Sequence, residues 1–183
     1  MLKIINPTQK SRPVRIWDIP RVIRDSIKIK IAMLRPFDGR FPFAASISHC
    51  QIEPDDPLRF FVVDKEGGIY NKDKRGNIKP LRYAIPLKKW FRARTIINPA
   101  IIKRGEEIIS SIEGCMSEEN KKKRRIKRWE NVYVRYWTFF GRKTKKFSLF
   151  RSILIQHEIS HFDCISIEDE YTHNIKKLKN RSY

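Results

Sequence analysis

Gln156-His157-Glu158-Ile159-Ser160-His161 is the stretch that decides how the rest of the chain is read. Two His four residues apart project from one face of a helix, which lets both imidazoles reach one divalent metal. Glu158, one position along, stands beside the remaining coordination place and can take a proton from a water held there. The chain has only 4 His, so a pair at this spacing points to a metal-dependent hydrolase. Immediately before it, Ser148 precedes Leu149, Phe150, Ile153 and Leu154. That pattern predicts a helix over 148–163 with Ser148 as its N-cap.

Working outward, Lys121–Arg128 is the densest charge run, and it leads into Val132–Trp137, whose β-branched and aromatic residues predict a strand. Gly141–Lys146 reads as a basic turn, and the tail from His173 to Tyr183 as a last helical turn or a frayed end. Farther upstream, Ile19, Val22, Ile23, Ile27 and Ile31 recur at helical spacing, so a helix starts or breaks near Pro20. Arg59–Val63 reads as a strand, residues 64–81 as an inserted loop or hairpin, and Thr95–Asn98 as a short strand ended by Pro99. Ile108–Met116 is a further apolar stretch.

A length of 183 residues suits one domain spanning 1–183. The anomaly is charge: 40 Lys+Arg against 20 Asp+Glu, formally +20. Such an excess attracts polyanions, chiefly RNA or an anionic membrane surface. An AT-rich genome that inflates Lys, Ile and Asn explains it equally well. Three Cys (Cys50, Cys115, Cys164) make no disulfide framework and fit a reducing compartment, leaving thiols free for a metal. No apolar run approaches the roughly 18 residues of a bilayer span, and no signal-peptide core is present. The expectation is a cytoplasmic protein with no membrane role. The basic N-terminus also suits organellar targeting, although Asp18 and Asp25 count against it.

Glu113-Gly114-Cys115-Met116-Ser117 adds a thiolate to the two imidazoles, giving three protein ligands and a fourth place for water. With both segments in view, the chain resembles the peptide deformylase family, whose hallmarks are E-G-C-L-S and Q-H-E-x-D-H. Ile96-Ile97-Asn98-Pro99 also resembles the family's "INP" strand. The resemblance runs over roughly residues 15–170. It implies an α+β fold with mixed or antiparallel sheets around a central helix carrying the His pair. It also implies removal of the formyl group from the N-terminal formyl-methionine of nascent polypeptides. Metal ligands would be Cys115, His157 and His161, with Glu158 moving protons and the backbone N–H of Met116 holding the oxyanion. The metal would be Fe(II) or Zn(II), with Ni(II) or Co(II) also suited to such a site. Ile153, Leu154 and Phe43 would wall the methionine pocket. Cys164, where the family usually has Gly, lies on much the same helix face and could act as a substitute ligand, but core packing explains it better.

The family's G-x-G-L-A-A-x-Q motif is where this chain departs. Aligned on its alanines, Phe43-Ala44-Ala45 covers L-A-A, so Ile47 falls on the Gln that should donate to the oxyanion. Arg40 and Pro42 then fall on the two Gly, and Gln51 serves only with a four-residue shift. Ser160 replaces the Asp of H-E-x-D-H. Two readings follow. The first is a working but divergent deformylase, with activity reduced by the degenerate motif. The second is a catalytically impaired relative that acts as a basic ribosome- or RNA-binding protein through Lys121–Arg128 and the C-terminal tail. The run lies beside Trp129, Tyr133 and Tyr136, as suits RNA. A general metallopeptidase leaves Glu113–Ser117 unexplained.

Overall fold

A computed structural model describes residues 4–34, 44–64, 70–72, 78–80, 90–118 and 122–179. Its frame is a five-stranded antiparallel sheet in the order β1 (Ser46–Ser48), β2 (Phe60–Asp64), β5 (Ala93–Arg104), β8 (Asn131–Thr138), β9 (Gly141–Ser148). A second ladder pairs β6 (Ile108–Glu113) with β7 (Arg124–Trp129). Helix α1 (Ile19–Leu34) packs on β1 and β2, and helix α2 (Phe150–Phe162) lies against β1, β7 and β9. Helix α3 (Ile167–Lys179) closes the chain against β7. This is the α+β architecture expected, with the His pair on the enclosed helix α2. Between residues 64 and 81, Tyr70–Lys72 (β3) and Ile78–Pro80 (β4) pair as an antiparallel hairpin. Among the described residues, no helix is long and apolar enough to cross a membrane.

Several local expectations change. The strand at Pro99 does not end there: β5 continues to Arg104 through two register shifts, where a residue lacking an N–H costs no ladder bond. Asn98 sits at φ 47 beside the first shift. Its side chain donates to the carbonyl of Val14 and accepts from the N–H of Val14, each at 2.8 Å, pinning the N-terminal segment to the sheet. Gly141–Lys146 is not a turn but most of edge strand β9. The turn is Phe139-Phe140, and Gly141 takes the φ of 115 that the reversal requires. Lysines on both faces of β9 hide the alternation that would mark a strand, and charged edges suit an unpaired rim.

Helix α1 is turned relative to its Ile pattern. Val22, Asp25, Ser26, Ile29, Ala32 and Met33 are buried, whereas Ile23, Ile27 and Ile31 are exposed. The reason is polar: Ser26 accepts a bond from Thr95 at 3.0 Å, and Asp25 lies 3.3 Å from the ring of His49. Buried polar groups with partners outrank an isoleucine stripe in setting the helix's rotation.

Ser148 ends β9 and does not cap α2; the N-cap is Leu149, held at φ 52 and ψ −129. That region suits glycine and strains any side chain. Because Leu149 is 58% exposed, little packing is lost with its side chain. Leu149→Gly is therefore expected to stabilise the protein by about 1 kcal/mol, read as a higher urea midpoint at unchanged slope. A lower midpoint would show that the Leu149 side chain matters more than its backbone strain.

Candidate metal centre and active site

Helix α2 is aimed by its own side chains. The amide of Gln156 donates to the carbonyl of Trp129 at 2.8 Å and its oxygen accepts the N–H of Trp129 at 3.1 Å. Ser152 donates to the same carbonyl at 2.7 Å. Together they bolt the helix to the end of β7. One turn on, His157 and His161 stand with Nε2 atoms 3.1 Å apart, and the Sγ of Cys115 lies 3.3 Å from the Nε2 of His161. Cys115 comes from the loop after β6. The three ligand atoms all fall within 4.8 Å of one another, the one such group among the described residues.

This donor set fits a metal. Tetrahedral N–N and N–S edges for bonds of roughly 2.0–2.3 Å are close to the 3.1 Å between the imidazoles and the 3.3 Å between Cys115 and His161. His157 presents its Nδ1 to Glu113 at 3.1 Å, which leaves its Nε2 lone pair directed at the other two ligands. The Nδ1 of His161 is buried without a partner among the described residues. Burial opposes ionisation of Cys115, yet hydrogen bonds with His157 and His161 outweigh it and hold the thiol well below its usual range. Burial likewise opposes charge on Glu113, but His157 and Arg128 bring its carboxyl down to about 2. Cys164 lies outside the ligand group at the end of α2, in a left-handed conformation with φ 58. That conformation accounts for the glycine usual at this position in the family.

Gln51 answers the question left by the degenerate motif. Its oxygen accepts the N–H of Ser48 at 2.9 Å, and its amide nitrogen faces Ser117 at 3.3 Å, His161 at 3.5 Å and Cys115 at 3.6 Å. The amide therefore stands at the ligand cluster, and Ile47 is a fully buried core residue. The four-residue shift, which lays Ala44-Ala45-Ser46-Ile47-Ser48-His49-Cys50-Gln51 over G-x-G-L-A-A-x-Q, is the register that matches this placement. Alignment on the paired alanines puts buried Ile47 at the Gln position instead, whereas the tight turn His49–Gln51 after β1 carries Gln51 to the cluster. Arg40, Pro42 and Phe43 lie outside the described residues.

The same register puts Ser46 and Ser48 on a Gly and an Ala of the motif. Both hydroxyls donate to Glu158, one to each carboxylate oxygen, at 2.5 Å. Glu158 is 2% exposed, so this clamp sets the plane of its carboxylate. Met116 follows Cys115 in a turn, its side chain packed against the core formed between α1 and strands β1, β2 and β5. Ile153 and Leu154 are half-buried on α2, one turn before the His pair. The run Lys121–Arg128 is partly structural: Lys122, Lys123, Arg125 and Lys127 are exposed, whereas the other described residues are engaged. Ile126 is core, Arg128 is buried between Glu113 and Glu170, and Arg124 pairs with Glu168 at 2.7 Å.

A buried centre with two imidazoles, one thiolate and an adjacent carboxylate defines a metallohydrolase-type site on an α+β scaffold. The family model for polypeptide deformylase matches residues 8–179. A peptide deformylase of Rickettsia akari is 32% identical over 141 residues, covering 69% of this chain and 79% of the relative. The chain belongs to the polypeptide deformylase family. Solved structures share the fold. Peptide deformylase from Thermotoga maritima superposes with a TM-score of 0.67 at 19% identity, covering 93% of this chain and 97% of that one. A class I type b peptide deformylase from Acinetobacter baumannii bound to Met-Ala-Ser gives 0.61 at 17% identity, covering 92% and 99%.

His49 in the turn beside Gln51 is a titration liability. It is fully buried. Its Nδ1 accepts the N–H of Leu58 at 3.0 Å, and its other nitrogen faces Asp25. Burial pushes it down to about 4 despite Asp25, with Arg21 adding to the fall. The folded state thus favours neutral His49 while the unfolded chain protonates near 6.5. The stability it confers is complete above pH 6.5 and is lost as pH falls towards 4, by roughly 2–3 kcal/mol at most. Urea unfolding of the wild type and His49→Gln across pH 4–7 should show that slope only in the wild type. Equal slopes would assign the acid sensitivity elsewhere.

Proposed function

We propose that the chain is a metal-dependent peptide deformylase that removes the formyl group from the N-terminal formyl-methionine of nascent polypeptides. The observation that carries this reading is Gln51, whose amide stands within 3.6 Å of Cys115 and 3.5 Å of His161, where the family motif needs its Gln. Cys115, His157 and His161 would hold the divalent ion: Fe(II) in the cell, with Zn(II), Ni(II) or Co(II) able to replace it. Such an ion supplies a Lewis acid and brings a bound water's pKa from roughly 16 towards 7.

The residues divide the remaining work. Glu158, its plane fixed by Ser46 and Ser48, takes the proton of the attacking water and returns it to the departing amine. Gln51 and the backbone N–H of Met116 donate to the formyl oxygen as it gains charge. Ile153 and Leu154 offer apolar surface for the methionine side chain. The bound Met-Ala-Ser of the Acinetobacter relative is the kind of peptide this reading requires as product. Nascent chains emerge in the cytoplasm, and that is the compartment proposed.

A second reading, contact with ribosomal RNA, is favoured by one surface. Tyr133, Arg135 and Trp137 of β8 stand opposite Lys146, Thr144 and Arg142 of β9, and the ammonium of Lys103 lies 5.7 Å from the ring of Tyr133. Cations interleaved with rings suit single-stranded RNA better than does Lys121–Arg128, where Arg124 and Arg128 are already paired with acids. Binding to a single-stranded RNA should weaken steeply with salt and fall at least tenfold in Arg135→Glu/Arg142→Glu. Unchanged binding would mean that the charge serves no such contact there.

For the enzyme reading, formate release from formyl-Met-Ala-Ser by anaerobically metal-loaded protein is the test. Glu158→Gln is expected to cost about 10²–10⁴ in kcat, and Gln51→Ala about 10²–10³. Wild-type protein that is fully loaded yet releases no formate would overturn the proposal.

A further inference from the structure

Ser160 stands where the family motif carries Asp, yet the carboxylate is not missing from the site. Arg128 is 5% exposed and lies between two acids. Its Nε and Nη2 donate to Glu113 at 2.9 and 2.8 Å, and its Nη1 and Nη2 reach both oxygens of Glu170 at 2.5 Å. Two planar carboxylates thus occupy both edges of one guanidinium fork, which fixes its plane. Glu113 passes that fixity to the Nδ1 of His157. Ser160, between the two His on α2, donates to Glu170 at 2.6 Å.

We propose that Glu170, contributed by helix α3, replaces the carboxylate lost at position 160 and serves as a positioning residue for the metal centre through Arg128, Glu113 and His157. Ser160 has no carboxylate to offer Arg128, and its hydroxyl instead donates to Glu170. Without Glu170, Arg128 keeps one partner and an unfilled edge. Glu113 must then satisfy both the guanidinium and His157 without a counterweight. The last helix therefore belongs to the metal centre although it supplies no ligand.

This inference rests on Cys115, His157 and His161 binding a metal, and the experiment separates the two claims. Zn(II) affinity is measured by competition with a chromophoric chelator, alongside thermal unfolding of the metal-free protein. Glu170→Gln is expected to weaken binding about 10- to 100-fold, as lost partners of ligating His do. Adding Ser160→Asp to it, which restores the family's acid, should recover most of the affinity. Glu168→Gln is the control: Glu168 lies on the same helix and pairs with Arg124, so it tests helix docking alone and should leave affinity unchanged.

Wild-type protein that binds no Zn(II) would overturn the metal reading itself. With wild-type binding intact, three results would overturn the role of Glu170: unchanged affinity in E170Q, no recovery in cooperatively folded S160D/E170Q, or equal loss in E168Q. Glu170→Asp covers the case in which the amide variant does not fold. Its shorter acid should bind Zn(II) more weakly than wild type, and full affinity would count against the relay.

Discussion

The candidate metal centre hangs from one buried cation. Arg128 on β7 is held between Glu113 at the end of β6 and Glu170 on α3, so a strand pair and a helix far apart in sequence meet at one guanidinium. The same strand's last residue, Trp129, receives the amide of Gln156 from α2. Strand β7 thereby fixes both the helix that carries the His pair and the acid that orients His157. Removing one partner from such a buried ion pair generally costs several kcal/mol, because the survivor keeps its desolvation cost without its attraction. An ion pair of this kind favours one geometry over many, which is what a ligand set needs.

Two further constraints act on the same site from the other side. Strand β1 and its turn deliver Gln51, Ser46 and Ser48, and they are anchored to α1 by the contact between His49 and Asp25. The serines hold Glu158 where the family's Gly and Ala cannot.

Much of this was legible in the sequence, unevenly. H-E-x-x-H and Glu113–Ser117 could be read because their function depends on short spacing within one helix or loop. Gln51 was legible only as an alternative, because the paired alanines favour another register and the length of the turn His49–Gln51 shows only in the fold. Strand β9 and the inward positions Ile126 and Arg128 of β7 were obscured because Lys and Arg sit on both faces, which erases the period of two. The rotation of α1 depended on Asp25 and Ser26 finding partners on other elements, and no local pattern carries that. Glu170 could not have been found from its neighbours, since its meaning lies in Arg128 and in the absence of Asp at 160.

The most direct test of the account is the electronic spectrum of the Co(II)-loaded protein. A tetrahedral site with one thiolate and two imidazoles should give intense ligand-field bands together with a sulfur-to-metal charge-transfer band. Cys115→Ser should abolish the charge-transfer band, while Cys50→Ser and Cys164→Ser leave it intact. Weak octahedral bands in the wild type, or a charge-transfer band that survives Cys115→Ser, would contradict the assignment of Cys115, His157 and His161 as the metal's ligands.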